Sequence, residues 1–254
     1  MNIDFSETFP HLPRAPIVEA VIDLRAKPSV PWDQEAFQKR LKEKLPDYPT
    51  AQQLRQFQGQ LTAEAGKLPE HRVVDIGWTG LQFWSKDQHN VAKFEKDGFA
   101  FSRLEPYQNW KAFEEEALRL WKAYVELTLP DVIQRIGVRF INRMLFPNDG
   151  FRLEDYLIGS PQPLASLGLA RGWFLHQDAL RLPETSYMVN LIRTMQPAEG
   201  TPAKVPLILD IDVFIYEPMD LDEAPLKKRL VEMQWLKNRV FFDSITPKTK
   251  GIFT

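Results

Sequence analysis

The chain has no cysteine. That excludes a disulfide framework, a thiolate nucleophile and any zinc or iron–sulfur site built on sulfur, and it fits a reducing compartment. Histidine is scarce too. His11, His71, His89 and His176 stand singly, without the His-x-x-x-His spacing of a zinc hydrolase. Glycine is thin, 12 in 254 residues. Neither Gly-x-x-x-x-Gly-Lys-[Ser/Thr] nor Gly-x-Gly-x-x-Gly occurs, so a backbone cradle for phosphate is poorly supplied. The Gly-x-Ser-x-Gly turn of a serine hydrolase is missing as well. Neither sign of charge prevails: 32 Lys and Arg against 34 Asp and Glu leave a formal charge of −2. A general nucleic-acid binder usually carries a strong basic excess. No apolar run is long enough to cross a bilayer, and the first twenty residues lack the basic start and apolar stretch of a signal peptide. These absences predict a cytoplasmic protein with no membrane association, no cofactor and no metal centre.

What is present suits a folded protein. Hydrophobic residues make up 44% of the chain, enough for a packed core at this length and too many for disorder. Residues 1–14 read as a loose, Pro-containing lead-in. Period-two alternation predicts strands at 16–25, 53–64, 72–84, 90–95, 98–104 and 132–146, then near 166–177, 185–195 and 204–216. Lys96-Asp97-Gly98 reads as a hairpin turn. Helical spacing predicts a short helix from Asp33 to Leu45, a long one over 107–128 and another over 222–238, with a short helix at 151–157 and an apolar terminal strand near 240–247. Strands in meanders with occasional helices point to an α+β fold with antiparallel sheets, not a doubly wound parallel one. Element order further suggests two similar halves, each packed by one long amphipathic helix. They are either two units, 1–147 and 148–254, or one continuous domain.

Three stretches carry a resemblance. The strand Pro16–Arg25 (PIVEAVIDLR), the block around Pro106-Tyr107 and Trp110, and the strand Arg135–Met144 (RIGVRFINRM), with FFDSIT at 241–246, resemble a sporadically distributed family of uncharacterised bacterial proteins of about this length. That resemblance implies an accessory gene in a defence or toxin–antitoxin setting, and no particular chemistry.

The most informative stretch is 134–144. In a strand, Arg135, Arg139 and Arg143 share one face, and Ile136, Val138, Phe140 and Met144 the other. Gly137 leaves room between two of the arginines. One reading is a guanidinium stripe that grips a phosphate or carboxylate, with Asn142 beside it and Glu19 as acid or base. The other is structural: the arginines pair with Glu19 and Asp23 on the first strand. Asp210 and Asp212, one residue apart on a strand, could hold a divalent ion but lack obvious further ligands, and an arginine-paired strand edge is the plainer reading. Tyr107 and Trp110 could form an aromatic platform, though residues opening an amphipathic helix more often face the core.

Three functions compete. A protein-interaction module draws on the aromatic content and predicts an exposed apolar patch without a deep polar cleft. An enzyme acting on a phosphorylated small molecule or nucleic acid predicts that Glu19 and the arginines converge in a pocket. Non-catalytic nucleic-acid binding, less favoured, needs the stripe on an open basic face. The first is preferred, and a protein partner is expected.

Overall fold

Strong alternation becomes strand throughout. A computed structural model of the protein describes residues 4–62, 70–159, 173–195 and 204–254. Its strands are β1 (Ile17–Arg25), β2 (Thr50–Thr62), β3 (Glu70–Trp84), β4 (Asn90–Glu95), β5 (Gly98–Leu104), β6 (Arg135–Pro147), β7 (Phe174–Arg181), β8 (Met188–Met195) and β9 (Lys204–Ile215). The helices are α1 (Gln34–Lys44), α2 (Trp110–Thr128), α3 (Glu223–Ser244) and α4 (Pro247–Phe253). The fold is α+β, as the meanders predict, with all nine strands in one antiparallel sheet of order β2-β3-β4-β5-β1-β6-β9-β8-β7.

β1 lies at the middle of the sheet because it pairs on both edges, with β5 and with β6. The register sets Val21 opposite Arg139 and Asp23 opposite Gly137. On its other edge β6 meets β9, with Arg139 opposite Asp212 and Ile141 opposite Asp210. A boundary at residue 147 therefore falls at the end of a strand whose ladders join both segments in one sheet.

The alternation gives the sheet two unlike faces. Ala20, Ile22 and Leu24 of β1, Ile136, Val138, Phe140 and Met144 of β6, and Leu207, Leu209, Ile211 and Val213 of β9 are all fully buried. They form the floor on which α3 packs over β6 and β9, while α2 packs over β5. The opposite face carries Glu19, Asp23, Arg25, Arg135, Arg139, Arg143, Asp210 and Asp212. Glycine is required where β5 begins: a Cβ on Gly98 would stand 2.5 Å from the Leu24 carbonyl oxygen of β1.

The helices start and stop for local reasons. The Asn109 side chain accepts a hydrogen bond from the Ala112 amide, 2.9 Å away, and caps α2. Tyr107 consequently stays outside the helix that the spacing extended to it. α3 runs to Ser244, past the predicted end at 238, because Leu226, Leu230, Met233, Leu236, Phe241 and Ser244 keep a buried stripe going. The terminal strand predicted near 240–247 is thus helical, and α4 follows it. The short helix expected at 151–157 shrinks to a single 3-10 turn, Leu153–Asp155. Most of the strand expected at 166–177 lies outside the described residues. The lead-in is not loose: Leu12 is buried, Phe5 and Phe9 set their rings against Trp235, and Phe9 stacks on Phe242 at 5.5 Å. Among the described residues no helix is long and apolar enough to cross a membrane.

Candidate functional site

On the face of the sheet away from α2 and α3, β1, β6 and β9 bring the predicted arginine stripe against carboxylates. Arg135 donates to Asp23 at 2.5 Å and to Asp212 at 3.3 Å. Its guanidinium also lies 5.0 Å from the Phe214 ring centre. Asp23 is shared with Arg25 at 2.6 Å, and Arg25 reaches on to Glu95 and Asp97 at 2.8 and 3.0 Å. Arg139 grips Asp210 with two bonds, Nε to Oδ1 at 2.8 Å and Nη2 to Oδ2 at 2.5 Å. Asp210 is nearly buried beneath this fork. Burial pushes the Asp212 carboxyl above its usual range, outweighing the pull of Arg135 and Arg139.

Two of the three arginines are thus paired with carboxylates, Arg135 with the Asp23 that the pairing reading names. For Arg139 the partner differs. It takes Asp210 on β9 where Glu19 on β1 was expected: both carboxylates stand opposite Ile141, and the guanidinium closes on the β9 side. The space beside Gly137 is occupied by the arginine next to it, with Arg135 Nη1 only 2.6 Å from where a Cβ would stand. Arg143 is exposed and has no ion pair among the described residues. Asp210 and Asp212 serve as arginine partners, and no group of three or more His, Asp or Glu comes together among the described residues.

Tyr107, Trp110 and Asn142 lie elsewhere. Asn142 adjoins the arginines in sequence, but alternation turns it to the helical face, where it is 2% exposed. All three line a cavity of about 1030 Å³ between the N-terminal segment, the loop preceding α2, and α3. The seven residues singled out from the sequence thus split across the sheet, with Glu19, Arg135, Arg139 and Arg143 on the other side.

The cavity wall is largely apolar, with Phe5, Phe9, Trp235 and Phe242 prominent. Into this wall α3 places Lys237. It is 8% exposed, its Nζ lies 3.9 Å from the centre of the Phe140 ring, and it donates to Asn238 Oδ1 at 2.6 Å. No carboxylate pairs with it among the described residues. Burial pushes its amine down to about 7. Asn142 donates its amide to the Leu209 carbonyl at 3.0 Å, which leaves its side-chain oxygen without a protein partner among the described residues. The Trp235 indole N–H is buried without an acceptor. Burial holds the Tyr107 hydroxyl protonated well above its ordinary range.

Lys237 was missed because a lysine in a surface helix usually reads as solvent-facing. The spacing held a signal all the same. Leu226, Leu230, Met233, Lys237 and Phe241 recur at three and four residues, which puts the lysine on the buried stripe.

One other buried cation, Arg193, is paired through both terminal nitrogens, while its Nε has no partner among the described residues. It donates to the Gly159 carbonyl at 2.8 Å and to Asp178 at 2.5 Å, with His176 Nδ1 at 2.7 Å. It braces β7 against β8. Compared with protein-family models, curated proteins and solved structures, the chain has no match, so its function is argued from the two sites themselves.

Proposed function

We propose that the chain is a ligand-binding protein that holds a small, mainly apolar molecule in the cavity beneath α3 and the N-terminal segment. One observation carries the reading: a buried amine, with no carboxylate partner among the described residues, stands on the wall of a cavity that Phe5, Phe9, Trp235 and Phe242 line together with polar side chains. Large apolar pockets with a few convergent polar groups are the usual form of small-molecule sites. The ligand has an apolar body that fits between Phe9, Trp235 and Phe242, and an oxygen that accepts hydrogen bonds from Lys237 and Tyr107. Asn142 offers the complementary acceptor. Anilinonaphthalene sulfonate, an aromatic body with an anionic oxygen, tests this by fluorescence titration. Saturable binding that weakens roughly tenfold in Lys237→Met, with unchanged circular dichroism, is the expected result. Equal binding by both proteins sinks the reading.

A second reading rests on the face of the sheet away from α2 and α3. We propose that it receives a protein partner, which makes the chain an interaction module of an accessory bacterial gene, cytoplasmic and linked to defence or toxin–antitoxin function. Support comes from its interleaved acids and bases, from exposed Arg143, which has no ion pair among the described residues, and from exposed Leu145, Leu175 and Tyr216. Such a face suits a mixed-charge protein surface better than nucleic acid, for which unpaired cations are needed. The same pairing weighs against an arginine-lined enzyme pocket. A pull-down from the native host, comparing wild type with Arg143→Glu, should lose a stoichiometric partner in the variant. Retention of the partner by the variant removes Arg143 from the interface. The two-halves reading stays a proposal on topology: β1 pairs with the last strand of its own meander, β5, and β6 pairs with β9, with a long helix after each.

A further inference from the structure

We propose that Lys237 captures carbonyl compounds, its side-chain amine condensing with an aldehyde or ketone carried by an apolar ligand in the cavity to form an imine. The inference deepens the ligand-binding reading and rests on it.

Imine formation needs an amine with a free lone pair, a carbonyl held against it, and protection from water. Burial favours the unprotonated amine of Lys237, and no ionised partner opposes it among the described residues. On β6 it faces the Phe140 ring and Asn142, neither of them ionised. On α3 its hydrogen-bond partner is the neutral amide of Asn238, which accepts one N–H and leaves the lone pair unused. From the loop before α2 comes Tyr107, protonated near neutrality. From the N-terminal segment come Glu7, tied to Arg239 at 3.1 Å, and Arg14, whose guanidinium donates to the Thr254 carbonyl at 2.9 Å. His11 and Glu105 line the cavity as exposed residues. Burial outweighs the Phe140 ring face and the Asn238 acceptor, which favour the ammonium, and the amine's affinity for a proton falls.

The apolar wall does the rest. A ligand body between Phe9, Trp235 and Phe242 excludes water from the imine, and the cavity, about 1030 Å³, admits a molecule of drug-like size beside the lysine. The step balances without a co-reactant. The nitrogen lone pair attacks the carbonyl carbon to give a carbinolamine. Both amine hydrogens then leave with the carbonyl oxygen as water, and the C=N bond remains.

The test uses the full chain, cinnamaldehyde as the apolar carbonyl probe, and sodium borohydride to fix any imine for peptide mapping by mass spectrometry. The expected result is one dominant adduct on Lys237, half-maximal near pH 7, whereas exposed lysines label only toward about pH 10.4. Lys237→Arg should lose this adduct while keeping the wild-type circular dichroism. Adducts spread over surface lysines with Lys237 unlabelled, or labelling of Lys237 that titrates like an exposed lysine, overturn the proposal. Fluorescence titration with anilinonaphthalene sulfonate separates the two claims. Probe binding without an adduct refutes the imine and leaves the ligand site standing, and absence of both refutes both.

Discussion

Arg139 and Asp210 differ in what the solvent sees of them: the arginine side chain is 46% exposed, the aspartate 9%. Removing the arginine strands a nearly buried carboxylate, which costs more than the pair itself contributes. Arg139→Ala should therefore destabilise the protein by roughly 1–3 kcal/mol, a range reduced for the solvent around the guanidinium. Combined with Asp210→Leu, much of that loss should return, and urea unfolding of the four proteins in the cycle measures it. Exchanging the charges of Glu19 and Arg139 should restore nothing, because the fork closes on Asp210 and not on Glu19. Lys237 presents the reverse case. Its folded-state affinity for protons lies below that of the unfolded chain, about 7 against the ordinary 10.5. The unfolded state binds the extra proton between those values, so stability rises with pH across that window. Below about pH 7 the full cost of burying the charge is present. Lys237→Met should stabilise the protein by roughly 1–5 kcal/mol there, and the gain should fade as pH climbs toward 10. Thermal unfolding from pH 6 to 10 reads it, and a gain that grows with pH contradicts the assignment.

Helix ends carry the predictions at the scale of elements. Asn109 is the sole side-chain cap at the start of α2, so Asn109→Ala should cost about 1 kcal/mol. At the other end Leu129 holds φ at 46°, left-handed, and its side chain is exposed. Leu129→Gly should raise stability by about 1 kcal/mol, since glycine adopts that conformation without a Cβ penalty. A fall in the unfolding midpoint would show that the exposed leucine contributes packing beyond the cap. Most elements could be read directly from spacing. β4 (Asn90–Glu95) and β5 (Gly98–Leu104) lie at the predicted positions, although β5 is buried on both faces from Gly98 to Ser102. The end of α3 could not be read this way. Val240-Phe241-Phe242 has strand-like composition, and only the buried stripe beneath it keeps the backbone helical.

At the scale of the whole molecule, the N-terminal segment closes one wall of the cavity. Phe5 and Phe9 ride on Trp235, and Arg14 is tied to the C-terminal Thr254 carbonyl. Phe9→Ala should open that wall and weaken binding of anilinonaphthalene sulfonate while the sheet stays folded. Unchanged affinity would place the probe elsewhere. Composition, the lack of cysteine, the α+β class and the two-faced character of β1 and β6 were settled by the sequence alone, since each depends on residue type or on local periodicity. Tertiary structure decided which strands became neighbours. β1 could have paired with many partners, and its pairing with β6, together with that of β6 with β9, brought Arg135 to Asp23 and Arg139 to Asp210. That choice also set Asn142 and Lys237, 95 positions apart in the chain, on one cavity. Local spacing assigns a side chain to a face, but only long-range strand pairing and helix packing determine what that face meets.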